Sequence, residues 1–314
     1  MFNLLRADLW RFFNSNRLRG QFWSYLLASI FVALFVFGLL AFVNSDGYTE
    51  LAASMDAEPA TDDTGAAVSA LPVTAMLANA FVSGGFFSLM CGFCAAEFAL
   101  SDLKAGYLKN IVSSTRGKLA YFAEKLVFCS IMCAVLLTVI SAACLVCAFA
   151  FDLAPTGEPI ARIVGWFALT WLNGCAFAVL TVAAVWINRG PALSYIWAIM
   201  LSTGVLRELI MGLAHSSGGA LRVLQPIAPA LKTLASWMPS SATQLLSQGS
   251  PVFNAPMTVG GISIFGDAVA SGTALPLGAD MQVLITNAAW IALASALALA
   301  SALALVVSRR KDVA

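Results

Sequence analysis

The chain has 314 residues, 60% of them hydrophobic and only 11% charged, with a mean hydropathy of +0.87. A soluble domain carries about 25% charged residues, so this composition excludes an ordinary soluble enzyme, a disordered chain and a nucleic-acid binder. The net charge of +1 points to no strongly charged partner. What remains is an all-α, polytopic membrane protein whose main partner is the lipid bilayer.

Residues 2–19 read as an amphipathic helix lying on the inner membrane surface. Phe2, Leu5, Leu9, Phe12 and Phe13 fall on one face at helical spacing, while Arg6, Arg11, Asn14 and Arg17 fall on others. A helix needs about 20 apolar residues to cross a bilayer core, and six runs meet this requirement: about 22–43, 75–96, 124–151, 163–187, 192–213 and 283–307. The first is too long for the apolar core of a cleaved signal peptide and follows a polar start. The second carries the small residues Ala80, Gly84, Ser88, Gly92 and Ala96 in steps of four. The sixth does the same with Ala288, Ala292, Ala296, Ala300 and Ala304. Such stripes let helix backbones approach closely in lipid, within a subunit or between subunits.

Lys and Arg set the expected orientation, because cytoplasmic loops retain positive charge. Thirteen of the 17 lie before the first span, around the second connection, in the fourth connection or after the last span. Both termini are therefore expected in the cytoplasm. The loop from Asn44 to Val73 has six acids and no Lys or Arg, as an external loop should. The segment 214–282 is the other large external piece. It holds six of the 11 prolines, and its apolar stretch Leu221–Met238 is broken by Pro226 and Pro229. That stretch reads either as two short helices dipping into the outer leaflet or as a cap on the helix ends.

Arg207 and Glu208 fall in the fifth span, near its outer interface. As sequence neighbours they are expected to point in different directions rather than pair. They read as interfacial anchors or as an outer gate. All seven cysteines fall in spans, so no disulfide framework is expected. Cys91-Gly-Phe-Cys94 has redox spacing without the soluble βαβ setting that such a site uses.

No nucleotide-binding loop of the form G-x-x-x-x-G-K-[ST] is present. The only Gly-Lys pair, Gly117-Lys118, has Val112 where the first glycine belongs and is followed by Leu119. His215 is the only histidine, and no span carries the run of acids or histidines of a proton relay. No catalytic, metal or cofactor site is expected in this chain, so any uphill transport must draw energy from a partner.

The polar link at 97–118 mixes acids, bases and apolar residues, which suits a short helix along the inner surface. Glu97, Asp102, Gly106, Leu108-Lys109-Asn110, Arg116, Tyr121 and Lys125 stand there in an order that resembles the permease subunits of type-2 ATP-binding-cassette (ABC-2) transporters. Tyr107 stands where Thr is commoner in that family, and a Pro often seen before the Arg is missing. The layout is also similar: an interfacial N-terminal helix, six spans, both termini inside and a large external segment before the last span.

The resemblance implies a single permease domain that pairs with a second copy or a sister permease. It would bind a separate cytoplasmic ATPase subunit that carries ATP and magnesium. The link would be a coupling helix seated on that ATPase, with Glu97, Asp102, Gly106, Lys109, Asn110, Arg116 and Lys125 holding the contact. The implied activity is export of an amphipathic peptide, drug or lipid across the cytoplasmic membrane. A non-transporting structural or sensory membrane protein and an intramembrane thiol enzyme remain the alternatives.

Overall fold

A computed structural model describes residues 2–43, 71–104, 115–151, 153, 155–188, 190–215, 226–250 and 278–311. The chain is a multi-spanning α-helical membrane protein. Among the described residues, five helical segments are long and apolar enough to cross a bilayer, and a bent pair makes up to six. In chain order the helices are α1 (Phe2–Asn14), α2 (Asn16–Val43), α3 (Val73–Leu77), α4 (Phe86–Lys104), α5 (Thr115–Ala150) and α6 (Ile160–Asn188). They continue as α7 (Pro191–Ser202), α8 (Val205–His215), α9 (Ala228–Ser236), α10 (Pro239–Leu246) and α11 (Ala279–Lys311).

Local chemistry sets several boundaries. Ser15 separates α1 from α2, and its hydroxyl accepts the Leu18 backbone N–H at 3.4 Å, as an N-cap does. Pro stands in the first turn of α7, α9 and α10, where its missing N–H costs nothing. α6 is the hub and packs against α4, α5, α7, α10 and α11. It buries side chains along most of its length, from Trp166 to Trp186. By contrast α2 leaves Trp23, Leu27, Phe31 and Phe35 exposed, as a helix with one face in lipid must.

The second and fifth spans are not the continuous helices that hydropathy alone suggests. α3 runs through a π turn at Ala78–Val82 and a 3-10 turn at Ser83–Gly85 before α4 begins. Gly84 and Gly85 both have positive φ, at 70° and 75°. α7 and α8 meet at 63° across Thr203 and Gly204, whose φ is 76°. The two breaks touch: a Cβ on Gly85 would lie 1.9 Å from the Ser202 carbonyl oxygen. The Ser202 and Thr203 hydroxyls donate one turn back to the carbonyls of Ala198 and Ile199, both at 2.7 Å, and such back-bonding favours a bend.

The stripe on the second span packs in part. Ser88 and Ala96 are buried, and a Cβ on Gly92 would lie 3.1 Å from the Thr181 hydroxyl on α6. Gly84 belongs to the break instead, with open space around it. On α11, Ala288, Ala292 and Ala296 face away from the rest of the chain, while Val283, Asn287 and Ala294 face in. Within the stretch Leu221–Met238 the described residues hold one short helix, α9, rather than two; the next, α10, begins after it at Pro239 and packs on α6 and α11. Two indole N–H groups fix this region: Trp166 donates to the Leu246 carbonyl at 3.0 Å and Trp290 to the Trp237 carbonyl at 2.6 Å. Beside it, the Glu158 carboxylate accepts the Thr74 backbone N–H at 2.8 Å and its hydroxyl at 2.9 Å, and it also accepts the Ser250 hydroxyl.

Gly85→Ala combines a left-handed φ with a backbone collision, whereas Gly84→Ala meets only the φ penalty. Gly84→Ala is expected to cost about 1–2 kcal/mol, and Gly85→Ala clearly more. Reversible unfolding of both variants in mixed SDS micelles checks the order.

Candidate functional site: a buried charge network above an aromatic layer

Three helices converge at the end of the bundle where α1 lies. Each presents a polar group and an aromatic ring on one face, at i, i+3 or i+4 spacing. α1 supplies Asp8, Arg11 and Phe12; α4 supplies Phe98, Ser101 and Asp102; α5 supplies Glu124, Lys125 and Phe128. The Lys125 ammonium pairs with Asp8, with Asp102 at 2.8 Å and with Glu124 at 3.6 Å. Arg11 pairs with Asp102 through Nη1 and donates to the Ser101 hydroxyl through Nη2 at 2.7 Å. The Lys125 side chain is 5% exposed and that of Asp102 1%, so this is an interior network rather than a solvated face.

The rings form the next layer. Phe98 and Phe128 stack at 4.0 Å with a 17° interplanar angle, and Phe12 meets Phe128 edge-on at 6.1 Å. Lys125 Nζ lies 4.0 Å from the Phe98 ring centre and Arg11 Cζ 5.9 Å from it. Both cations thus gain from the ring quadrupole as well as from the carboxylates.

Below the rings, α1, α2, α4 and α5 border a narrow cleft with about 30 Å³ of free room, partly open to the surroundings. Gln21, Tyr25, Cys94, Glu97, Cys129 and Met132 line it, together with the rings just named. The Tyr195 hydroxyl of α7 donates to Glu97, and Phe93 bridges Tyr195 and Tyr25 with ring separations of 5.5 and 6.1 Å. Cys91 and Cys133 also line this cleft, and none of the seven cysteines is disulfide-bonded. Among the described residues no group of His, Cys, Asp and Glu side chains is arranged to hold a metal ion.

The residues assigned to the link at 97–118 are thus distributed. Glu97 and Asp102 lie on α4, which runs unbroken to Lys104, and Arg116 lies in the first turn of α5. Glu97, Asp102 and Lys125 make contacts within the chain. Gly106, Lys109 and Asn110 lie outside the described residues. Arg207 and Glu208 form an ion pair, contrary to the expectation for sequence neighbours: both side chains are long enough for their ends to meet although their Cβ atoms diverge. Glu208 is 64% exposed and Arg207 only 11%.

Asp8 and Arg11 are the partners that the sequence reading missed. The sequence assigns Arg11 to orienting charge and to the polar side of the interfacial helix. Yet Asp8 is the sole acid before Asp46 in a basic segment, and Asp8-x-x-Arg11 shares one face with Phe12. Phe13, expected on the apolar face, is 62% exposed, and the packed face is Leu5, Asp8 and Phe12.

Removing Lys125 takes the ammonium from Asp8 and Glu124 and leaves Asp102 with Arg11 alone, so Lys125→Ala is expected to destabilise the fold by roughly 3–5 kcal/mol. Arg19→Ala, at an exposed hydrogen-bonded position, should stay within about 0.5 kcal/mol; unfolding in mixed micelles separates the two. Comparison with family models, with curated proteins and with solved structures finds no match to this chain.

Proposed function

We propose that this chain is the membrane-spanning permease subunit of an ATP-driven exporter of the ABC-2 type. The observation that carries the reading is the charge network. Lys104 ends α4 and Thr115 begins α5, so residues 105–114 join the two helices that the network ties to α1. A push on a segment anchored in this way is passed to three helices at once. In this reading the link meets a cytoplasmic ATPase subunit through Gly106, Lys109, Asn110 and Arg116. Asp102 and Lys125 act behind it as positioning residues, and Glu97 ties α4 to α7.

The ATPase subunit supplies ATP and magnesium, and a second permease copy or a sister completes the pathway. Both termini and the network then lie on the cytoplasmic side of the cytoplasmic membrane, and the Glu158 cluster lies outside. Arg207 and Glu208 stand on the outer half of the bent pair, where they serve as a gate or an anchor. The cargo is an amphipathic peptide, drug or lipid. ATP drives the cycle only if the closed ATPase pair favours one arrangement of the helices over another.

Affinity purification of the tagged chain in mild detergent tests this. A stoichiometric ATPase carrying G-x-x-x-x-G-K-[ST] is expected to co-purify. Lys109→Glu and Gly106→Trp should lower its recovery at least about tenfold, as reversal or crowding at an interface does, with membrane insertion unchanged. Absence of any ATPase from intact, inserted protein would overturn the reading in favour of a non-transporting membrane protein.

A further inference from the structure

We propose that the outward face of α1 and the start of α2 bind an anionic phospholipid, with Arg6 and Arg19 drawing its headgroup and Trp10, Phe13 and Trp23 meeting its interfacial region. The inference rests on the membrane-spanning fold and not on the ATP-driven reading.

The first argument is the order of chemistry along the exposed surface. α1 docks through Leu5, Asp8 and Phe12, so its apolar side is taken up by protein. Its other side presents Arg6, Trp10 and Phe13 at i, i+4 and i+7, all exposed, Trp10 at 68%. Arg19, also exposed, donates to the Phe13 carbonyl at 3.4 Å, which sets its guanidinium at the end of α1. From Arg19, steps of four along α2 lead to Trp23, Leu27, Phe31 and Phe35, all exposed. Along α1 and then α2, the exposed groups thus run from cations, through aromatic rings, to a plain apolar strip. A phospholipid presents its matching parts in the same order, as headgroup, glycerol region and acyl chain. Tryptophan and basic side chains at headgroup level, with apolar ones deeper, are what an interfacial helix uses to hold lipid. The strip is continuous with the side of α2 that faces the bilayer, which makes lipid the occupant.

The second argument is the sign of the exposed charge. Asp8 is the only acid in residues 2–43, and it is buried against Lys125. Arg11 is committed to Asp102 and Ser101. Among the described side chains of this segment, the exposed charges are therefore Arg6 and Arg19, both positive. Arg17, whose side chain lies outside the described residues, is a further base and not an acid. A zwitterionic headgroup brings its own ammonium, which these arginines repel. A headgroup of net negative charge has no such group, and each basic residue near the surface strengthens its attraction several-fold.

The test uses the full chain in phosphatidylcholine vesicles that contain a share of phosphatidylglycerol or of phosphatidylcholine brominated near the glycerol end of its chains. Bromine quenches tryptophan on contact, and the Trp10 signal is the difference between each protein and its Trp10→Phe counterpart. The quenching curves give the relative binding constant of the two lipids at this position. Phosphatidylglycerol is expected to be favoured at least about threefold. Arg6→Gln combined with Arg19→Gln should bring the ratio to about one. Arg309→Gln combined with Arg310→Gln removes the same charge from α11 and should leave the preference in place. A ratio of one in the wild type, a preference unchanged in the Arg6/Arg19 variant, or one lost equally in the Arg309/Arg310 variant would overturn the proposal. So would a Trp10 that neither brominated lipid quenches, as cover by protein or water gives. If the Arg6/Arg19 variant does not insert, salt decides on the wild type. At about 1 M salt the screening length falls to about 3 Å, so the preference should at least halve, and a salt-independent preference would overturn the proposal.

Discussion

Everything at the α1 end depends on Lys125 being paired inside the protein. A charge placed in a bilayer core costs on the order of 2.5–3.5 kcal/mol even on insertion scales, and Lys125 stands just inside the start of an apolar span. It is tolerated because Asp8 and Asp102 arrive from two other helices and because Phe98 offers a ring face at 4.0 Å. The converse also holds. Without Lys125 the carboxylates of Asp8, Asp102 and Glu124 would repel one another, and only Arg11 would hold α1 to α4 by polar contact. A buried ion network of this kind is weak evidence for extra stability, since an apolar replacement often does as well. Its consequence here is geometric: it fixes the rotation and depth of α1 against α4 and α5, which Phe12, Phe98 and Phe128 alone could satisfy in several ways.

The middle of the bundle is organised by absence of side chains. Gly85 sits against the Ser202 carbonyl so closely that no Cβ fits, and Gly249 meets the Ala75 backbone in the same manner, with a Cβ at 2.6 Å from its nitrogen. Both have φ values near +76°, which only glycine adopts without cost. Two interrupted helices therefore meet backbone to backbone. Non-helical backbone at membrane depth must be shielded by protein, and here each break shields the other.

Hydropathy and helical periodicity made the spans and α1 legible, because a membrane imposes length and apolarity on each crossing segment. The breaks were not legible from the same signals. Ser83-Gly84-Gly85 and Ser202-Thr203-Gly204 are small enough to pass as a packing stripe or as ordinary span interior. Tandem glycine, and hydroxyl residues followed by glycine, were the available signs. The charge network was hidden for a different reason. Arg11 and Lys125 carry the same charge whether they mark the cytoplasmic side or complete a buried pair, so counting them for orientation uses up the signal. Only a three-dimensional neighbour, Asp8 or Asp102, tells the two roles apart. Glu97 was legible as an acid after the second span, but its place at a cleft depends on Tyr195, almost a hundred positions away.

The far side of α6 carries buried polar groups but no ion network among the described residues. Where α6 and α11 pack, Thr170, Asn173, Thr286 and Asn287 are all buried, and each has at least one side-chain polar atom with no hydrogen-bond partner among the described residues. Only the Asn173 amide nitrogen is engaged, donating to Thr243 of α10 at 2.9 Å. Polar groups left unpaired in a low-dielectric interior cost free energy that an apolar seam would not. A seam carrying that cost has less to lose by rearranging than one closed by ion pairs and stacked rings.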